Sequence, residues 1–227
     1  MATDLASYNQ SRISPFDEYA LASLLKDMGN RHILALEIGA WMGAGSTRIL
    51  AEYADEVVCV DTWSGTENTQ LSEIVSQVDP YSLFLENIRE FEEKVTAIRT
   101  DSNEIGSLLE DESFDFIFID GDHRYAQTKR DIHSCLPKLK RGGIIAGHSC
   151  EGRVSESNRE LLAKNLDVDH LESIFGNFRD MHPGVIIAVD EIFDDVELFA
   201  DKTNLIVLDD DNRKPRLGYS SIWYTGK

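Results

Sequence analysis

The residues best suited to chemistry fall into two groups. The first is the run Glu37-Ile38-Gly39-Ala40-Trp41-Met42-Gly43-Ala44-Gly45-Ser46. Glycines let a backbone take positive φ and approach a ligand closely. The amides of a helix starting at Ser46 favour an anionic group. A dinucleotide fingerprint fails here, because Ala40 and Trp41 separate Gly39 from any second glycine. A phosphate loop fails too, because Gly45-Ser46-Thr47 lacks the lysine. What remains is a Glu-x-Gly-x-x-x-Gly-x-Gly-Ser cradle. The second group is Asp120-Gly121-Asp122-His123, two carboxylates and an imidazole on a tight turn. An imidazole near neutral pKa can move protons, and carboxylates suit hard cations.

Strands and helices must position these groups. Apolar runs predict strands at Ile33–Ile38, Glu56–Asp61, Lys94–Arg99, Phe114–Asp120 and Gly142–His148. Helical patterns lie between them at Ser46–Tyr53, Tyr81–Glu92, Asn103–Glu110 and Tyr125–Leu136. This alternation predicts a parallel sheet covered on both faces. Both groups then sit at carboxyl ends of strands, where open α/β sheets bind ligands. Asp61, followed by Thr62, ends the second strand, where an acid accepts hydrogen bonds from ribose hydroxyls. Asp101-Ser102 follows the third strand and also reads as a helix cap. Insertions near residues 62–80 and 149–182 fall at the same end and are candidate substrate walls. Pro183 opens another helix. Asn204–Leu208 and Tyr219–Tyr224 predict an antiparallel pair on the sheet edge. Residues 1–227 are expected to form one domain.

The Glu37–Ser46 run resembles the glycine-rich loop of class I S-adenosylmethionine-dependent methyltransferases. The Asp120–His123 segment, Gly142-Gly143-Ile144-Ile145-Ala146-Gly147-His148, His182-Pro183-Gly184-Val185 and Ser221-Ile222-Trp223-Tyr224 resemble one branch of that family. The branch includes macrolide-sugar O-methyltransferases and cephalosporin-hydroxylase-like proteins, and the likeness runs from Ile33 onward. It implies a Rossmann-like α/β three-layer sandwich. Its mostly parallel seven-stranded sheet would carry an antiparallel C-terminal strand. It implies S-adenosylmethionine as cofactor, bound by Glu37, Gly39, Ala40, Trp41, Gly43, Ser46, Asp61, Thr62, Asp101, Ser102, Asp120 and Gly121. Glu37 would lie near the cofactor's ammonium and Asp101-Ser102 near its adenine. The implied reaction is O-methylation of a small-molecule hydroxyl, on a sugar or natural product, with His123 as base beside Asp120.

Relatives also bind Mg²⁺ between the ends of the fourth and fifth strands. Asp120, Asp122 and His148 are the candidate ligands here. Ser149 stands where relatives carry a carboxylate, and His148 suits a softer divalent cation such as Mn²⁺, Fe²⁺ or Zn²⁺. A metal-dependent, hydroxylase-like enzyme on the same fold and a non-catalytic cofactor-binding protein are the alternatives.

Composition narrows the partners. A net charge of −19 repels phosphate backbones and anionic lipid, so neither nucleic acid nor a membrane is expected. A small-molecule acceptor is the expected partner, and a homo-oligomer stays open. The cysteines Cys59, Cys135 and Cys150 include no Cys-x-x-Cys, which fits a reducing cytoplasm. Met1–Asp17 is polar and does not read as a signal peptide. The acidic residues between Asp190 and Asp211 lack calcium-loop spacing and read as solvated surface.

Overall fold

The computed structural model describes residues 13–67, 69–171, 181–201, 205–208 and 215–227. Five parallel strands form where the apolar runs lie: β1 (Leu34–Ile38), β2 (Glu56–Asp61), β3 (Val95–Arg99), β4 (Phe114–Ile119) and β5 (Leu139–Gly147). They align in the order β3-β2-β1-β4-β5. The order reverses between β1 and β4, so a crevice opens at their carboxyl ends. Every residue of β4 is buried, as a central strand covered on both faces requires. β5 starts earlier than the apolar run because Leu139 already pairs with Phe114.

Alternate side chains of β1 and β4 feed two cores. Ala35, Phe116 and Phe118 pack with Leu21 and Leu24 of α1 (Pro15–Asp27) and Leu50 of α2 (Ser46–Tyr53). Leu36, Ile38, Ile117 and Ile119 pack on the other face. There they meet Ile105 of α5 (Ile105–Leu108), Ile132 of α6 (Tyr125–Cys135) and Val185 of α8 (Pro183–Ile192). The result is three layers.

The first insertion carries α3 (Gln70–Val75) and leads into α4 (Pro80–Asn87); the second carries α7 (Arg159–Ala163). The expected helix at Tyr81–Glu92 is α4 followed by a 3₁₀ turn at Arg89–Phe91, and Asn103–Glu110 is a 3₁₀ turn leading into α5. Helix α1 has no counterpart in the sequence reading. Ser14 caps it, with Asp17 completing a capping box.

The C-terminal strands differ from expectation. β9 (Trp223–Gly226) lies antiparallel beside β5, and the short β6 (Glu197–Leu198) pairs with β9 as the seventh strand. β7 (Leu205–Leu208) pairs instead with β8 (Pro215–Gly218) in a separate two-stranded sheet. Asn204 and the loop residues 209–214 lie outside the described residues. Trp223 sets the register: it sits opposite Gly147, where an added Cβ would fall 2.6 Å from the indole.

Candidate active site

A cavity of about 340 Å³ opens at the carboxyl ends of β1, β2, β3 and β4. Gly39, Trp41, Asp61, Thr62, Asp101, Ser102, Asp120 and Gly121 line it. Gly39 has φ +87°, and a Cβ there would lie 2.1 Å from the Asp120 carbonyl oxygen. Only glycine lets the loop after β1 rest on the end of β4. The Asp61 carboxylate ties the loops together. It accepts the Trp41 N–H and the Trp63 N–H, each at 2.7 Å. Burial raises its pKa while these amide bonds oppose the rise.

Trp41 and Trp63 both adopt left-handed backbone, at φ +46° and +50°. Non-glycine residues reach that region at a cost of about 1–3 kcal/mol, a cost common at ligand sites. The Trp63 indole donates to the Trp41 carbonyl at 2.5 Å and packs edge-on against Tyr81. Among the described residues, Trp41 Nε1 is the buried side-chain polar atom without a partner. A buried orphan donor on a cavity wall calls for an acceptor.

Glu37, Ala40, Gly43 and Ser46 are not among the lining residues. Strand alternation explains Glu37. Leu36 and Ile38 face the α6 side, so Glu37 points under α2. Its fully buried carboxyl accepts the Ser46 and Thr47 hydroxyls at 2.6 Å each. Burial pushes its pKa to about 7. It fastens the start of α2 beneath the loop. Asp131, which sequence reasoning passed over, lines the opposite wall. It lies on the buried face of α6 with Thr128, Ile132 and Cys135, and burial pushes it to about 6. Gln127 Nε2 donates to it at 2.8 Å.

Beside the cavity a histidine cluster surrounds Asp120. Asp120 Oδ1 lies 3.4 Å from His123 Nε2 and 3.3 Å from His148 Nδ1. Ser149 Oγ lies 3.1 Å from His148 Nδ1 and 3.4 Å from His123 Nε2. The outer ring nitrogens also meet carboxylates. His148 Nε2 is 3.3 Å from Asp17 Oδ2, and His123 Nδ1 is 3.2 Å from Asp169 Oδ1. Burial alone would lower His123, but Asp120 and Asp169 outweigh it and hold it at about 9. His148 is likewise raised, against its burial, by Asp120 and Asp17. The His123 contact holds Asp169 at about 2. His182 sets its ring edge-on to His123, centroids 4.5 Å apart, and is itself held by Glu151 at 2.7 Å. A Cβ on Gly184 would fall 2.3 Å from the Tyr125 amide, so α8 presses this corner closed.

Asp122 does not join the cluster. Its carboxylate forks onto Arg124, accepting from Nε at 2.9 Å and also from Nη2. That guanidinium pairs with its charge. Sequence reasoning also missed Asp17, Asp169 and Glu151. Asp17 had a readable signal in Ser14-Pro15-Phe16-Asp17, a helix start. Its Oδ1 additionally accepts the Ser221 N–H at 2.8 Å, which pins α1 to the loop before β9. The three cysteines are all buried.

The donor atoms around Asp120 do not fit Mg²⁺. That ion demands oxygen ligands, whereas the inward atoms are one carboxylate oxygen, one hydroxyl and two imidazole nitrogens.

Comparison with known proteins bears on this site. No protein of curated function matches the sequence. The crystal structure of the O-methyltransferase from Bacillus cereus in complex with SAH shares the fold. Its TM-score is 0.55 at 21% identity, covering 98% of this chain and 86% of that one. A protein of Corynebacterium glutamicum does so at TM-score 0.54 and 15% identity, over 97% of this chain and 84% of the other. Residues 36–150, just over half of the chain and including the glycine loop, Asp61 and Asp120–Ser149, match a family described as a methyltransferase domain. The chain therefore belongs to the methyltransferase-domain family, as the resemblance of its glycine loop to class I S-adenosylmethionine-dependent methyltransferases implied.

Proposed function

We propose that this chain binds S-adenosylmethionine in the cavity at the β1–β4 crevice and transfers its methyl group to a hydroxyl of a small molecule. The observation that carries the reading is the cavity itself. About 340 Å³ is a usual size for a small-ligand site. Its wall combines the Gly39 approach, Asp61, Asp101-Ser102 and Trp41, whose buried Nε1 has no partner. The SAH bound to the Bacillus cereus enzyme supports the same ligand class.

The residues divide the work. Asp61 keeps lone pairs free beyond the amide bonds it accepts from Trp41, Trp63 and Thr62 and can receive ribose hydroxyls. Asp101, Ser102 and Asp131 line the part of the wall assigned to adenine. Trp41 Nε1 supplies a donor. S-adenosylmethionine held there would supply a sulfonium methyl to the acceptor oxygen, the carbon–sulfur bonding pair staying on sulfur. The hydroxyl proton must leave. The Asp120 carboxylate, which touches both the cavity and the histidine cluster, is placed to receive it, while His123, held at about 9 against its burial by Asp120 and Asp169, already carries its proton at neutral pH.

The walls set acceptor choice. Thr62, Ser64, Thr66 and Glu67 of the first insertion line the cavity, and the second brings Asp169 to His123. A small neutral or cationic acceptor, a sugar or natural product, agrees with the charge of −19 better than nucleic acid or an anionic membrane. Among the described residues, no helix is long and apolar enough to cross a membrane. A reducing cytoplasm belongs to the same reading.

Calorimetry with S-adenosylmethionine and with S-adenosylhomocysteine tests it. Both should bind one-to-one, and Asp61→Asn should weaken both about tenfold, the scale of one hydrogen bond to a charged group. No heat from either compound at about millimolar concentration would end the proposal.

A further inference from the structure

We infer that Asp131, rather than Asp101, reads the adenine of the methyl donor by accepting a hydrogen bond from its exocyclic amine. The inference rests on the methyl-donor reading and names the residue that makes the cavity selective for the base.

The two carboxylates stand on one cavity wall in different settings. Asp101 is exposed and already engaged. It caps the 3₁₀ turn at Ser102–Glu104, and its Oδ1 accepts the Asn103 N–H at 2.9 Å and the Asn103 side-chain amide at 2.6 Å. Asp131 keeps only 1% of its surface exposed although it lines the cavity. A carboxylate at that depth needs hydrogen-bond donors.

Two neighbours supply donors and fix its orientation. Gln127 Nε2 donates to Asp131 Oδ1 at 2.8 Å and to Ser102 Oγ at 3.0 Å. The Ser102 hydroxyl in turn hydrogen-bonds the Asp131 carboxylate. Arg130 holds the Gln127 carbonyl oxygen at 2.7 Å, so the nitrogen is the end of that amide that faces Asp131. An ionised carboxylate has about four acceptor positions, and these bonds leave room for a further donor from the cavity. Burial, together with the Asp122 and Asp101 charges, pushes the Asp131 pKa to about 6 against the two hydrogen bonds.

The corner suits a flat aromatic amine. A Cβ on Gly121 would fall 3.3 Å from Asp131 Oδ2 and 3.7 Å from Ile38 Cγ2. The carboxylate, the glycine and Ile38 therefore share one corner, which glycine keeps clear of any side chain. Ile38 and Val60 give the wall apolar surface. Adenine has apolar faces and an amine that donates from its edge, and this corner offers a counterpart to each.

Calorimetry on the full chain at pH 8, where Asp131 is ionised, compares S-adenosylhomocysteine with S-inosylhomocysteine, whose base carries a carbonyl oxygen in place of the amine. The wild type should prefer the adenine compound at least about tenfold, the scale of one hydrogen bond to a charged group. In Asp131→Asn, Gln127 keeps the asparagine oxygen at the Oδ1 place, so the amide nitrogen takes the Oδ2 place beside Gly121 and donates. Adenine binding should then weaken about tenfold, inosine binding should strengthen, and the preference should fall to within about threefold. A structural role for Asp131 would weaken both compounds in proportion and leave their ratio alone. Asp101→Asn should keep the wild-type ratio. The inference falls if the wild type binds the two compounds equally, if folded Asp131→Asn keeps the ratio, or if Asp101→Asn loses it. The wild-type and Asp101→Asn measurements decide the matter should Asp131→Asn fail to fold. Binding of neither compound would end the methyl-donor reading and this inference with it; binding without the preference ends this inference alone.

Discussion

Glu37→Gln should reverse its effect on stability between acid and alkaline pH. The Glu37 carboxyl has no exposure and sits against the Ser46 and Thr47 hydroxyls. Burial raises its pKa from 4.5 to about 7. A carboxyl raised on folding contributes stability that is complete below its unfolded pKa. That contribution is lost as pH climbs through the folded value, because the folded state holds the proton longer. Over the whole window, the 2.5-unit difference amounts to about 3 kcal/mol. Most of this, about 2–3 kcal/mol, falls between pH 5 and pH 8.5. Glutamine keeps the volume and never ionises, but one hydroxyl must reorient toward its amide, at a cost of about 1 kcal/mol. The variant should therefore be less stable than wild type at pH 5 and more stable at pH 8.5. For a chain of this size the gap in Tm should swing by about 5–10 °C. Thermal unfolding of both proteins at pH 5, 6, 7 and 8.5, without cofactor, reads it directly. Other titrating groups cancel in the difference. A gap that stays flat with pH, or that widens against the variant as pH rises, would refute the reasoning, since Glu37 would then be an ordinary ionised carboxylate.

Two further outcomes follow from the cavity wall. Trp41→Phe removes the orphan indole N–H and keeps a single six-membered aromatic ring. The unliganded protein should gain about 1 kcal/mol in urea unfolding while S-adenosylhomocysteine affinity falls severalfold, and an unchanged affinity would show that the N–H meets no ligand. Gly39→Ala forces a Cβ to 2.1 Å from the Asp120 carbonyl at φ +87°. Left-handed strain and overpacking together should cost about 3 kcal/mol or more. A variant with wild-type Tm would mean that the loop does not rest on β4.

Much of the sheet was readable because a parallel sheet leaves strong local marks. Phe114–Ile119 is apolar at every position because both its faces are covered. The Glu56–Asp61 strand and the Ser46–Tyr53 helix stand where the pattern put them. The C-terminal pairing was not readable in the same way. Leu205–Leu208 and Trp223–Gly226 are both short and strand-like, and only the fit of Trp223 over Gly147 selects which one joins β5. The candidate site divides along the same line. Residues on the loops after β1, β2, β3 and β4 were placed by the sheet rule alone. The direction of Glu37 was legible too, since Leu36 and Ile38 flank it, but the family resemblance outweighed the alternation. The helix start at Ser14-Pro15-Phe16-Asp17 marked Asp17 as a capping residue but not as a partner of His148, and Asp169 left no trace. They reach the cluster from a separate helix and from an insertion, and carboxylates in those settings ordinarily face water.

Asp120 links the two halves of the site. Its carbonyl carries the Gly39 turn, so the floor of the donor cavity is built on its backbone. Its carboxylate faces His123 and His148, so the cluster is built on its side chain. Both relations are set by the residue directly after a fully buried strand, held there by its N–H on the Ile38 carbonyl at 2.8 Å. An acceptor oxygen that reaches a methyl group in the cavity and gives up its proton to the cluster must therefore lie close to Asp120. Helix α1 contributes the outer carboxylate Asp17 and the second insertion the outer carboxylate Asp169. Changes in those two elements can retune the charge on the histidines without moving the donor cavity. Changes at Asp120 cannot be confined to one half. A substitution there should alter methyl-donor affinity and cluster chemistry together, whereas Asp169→Asn should leave S-adenosylhomocysteine binding intact; a tenfold loss of that binding in Asp169→Asn would show that the two halves are coupled by some other route.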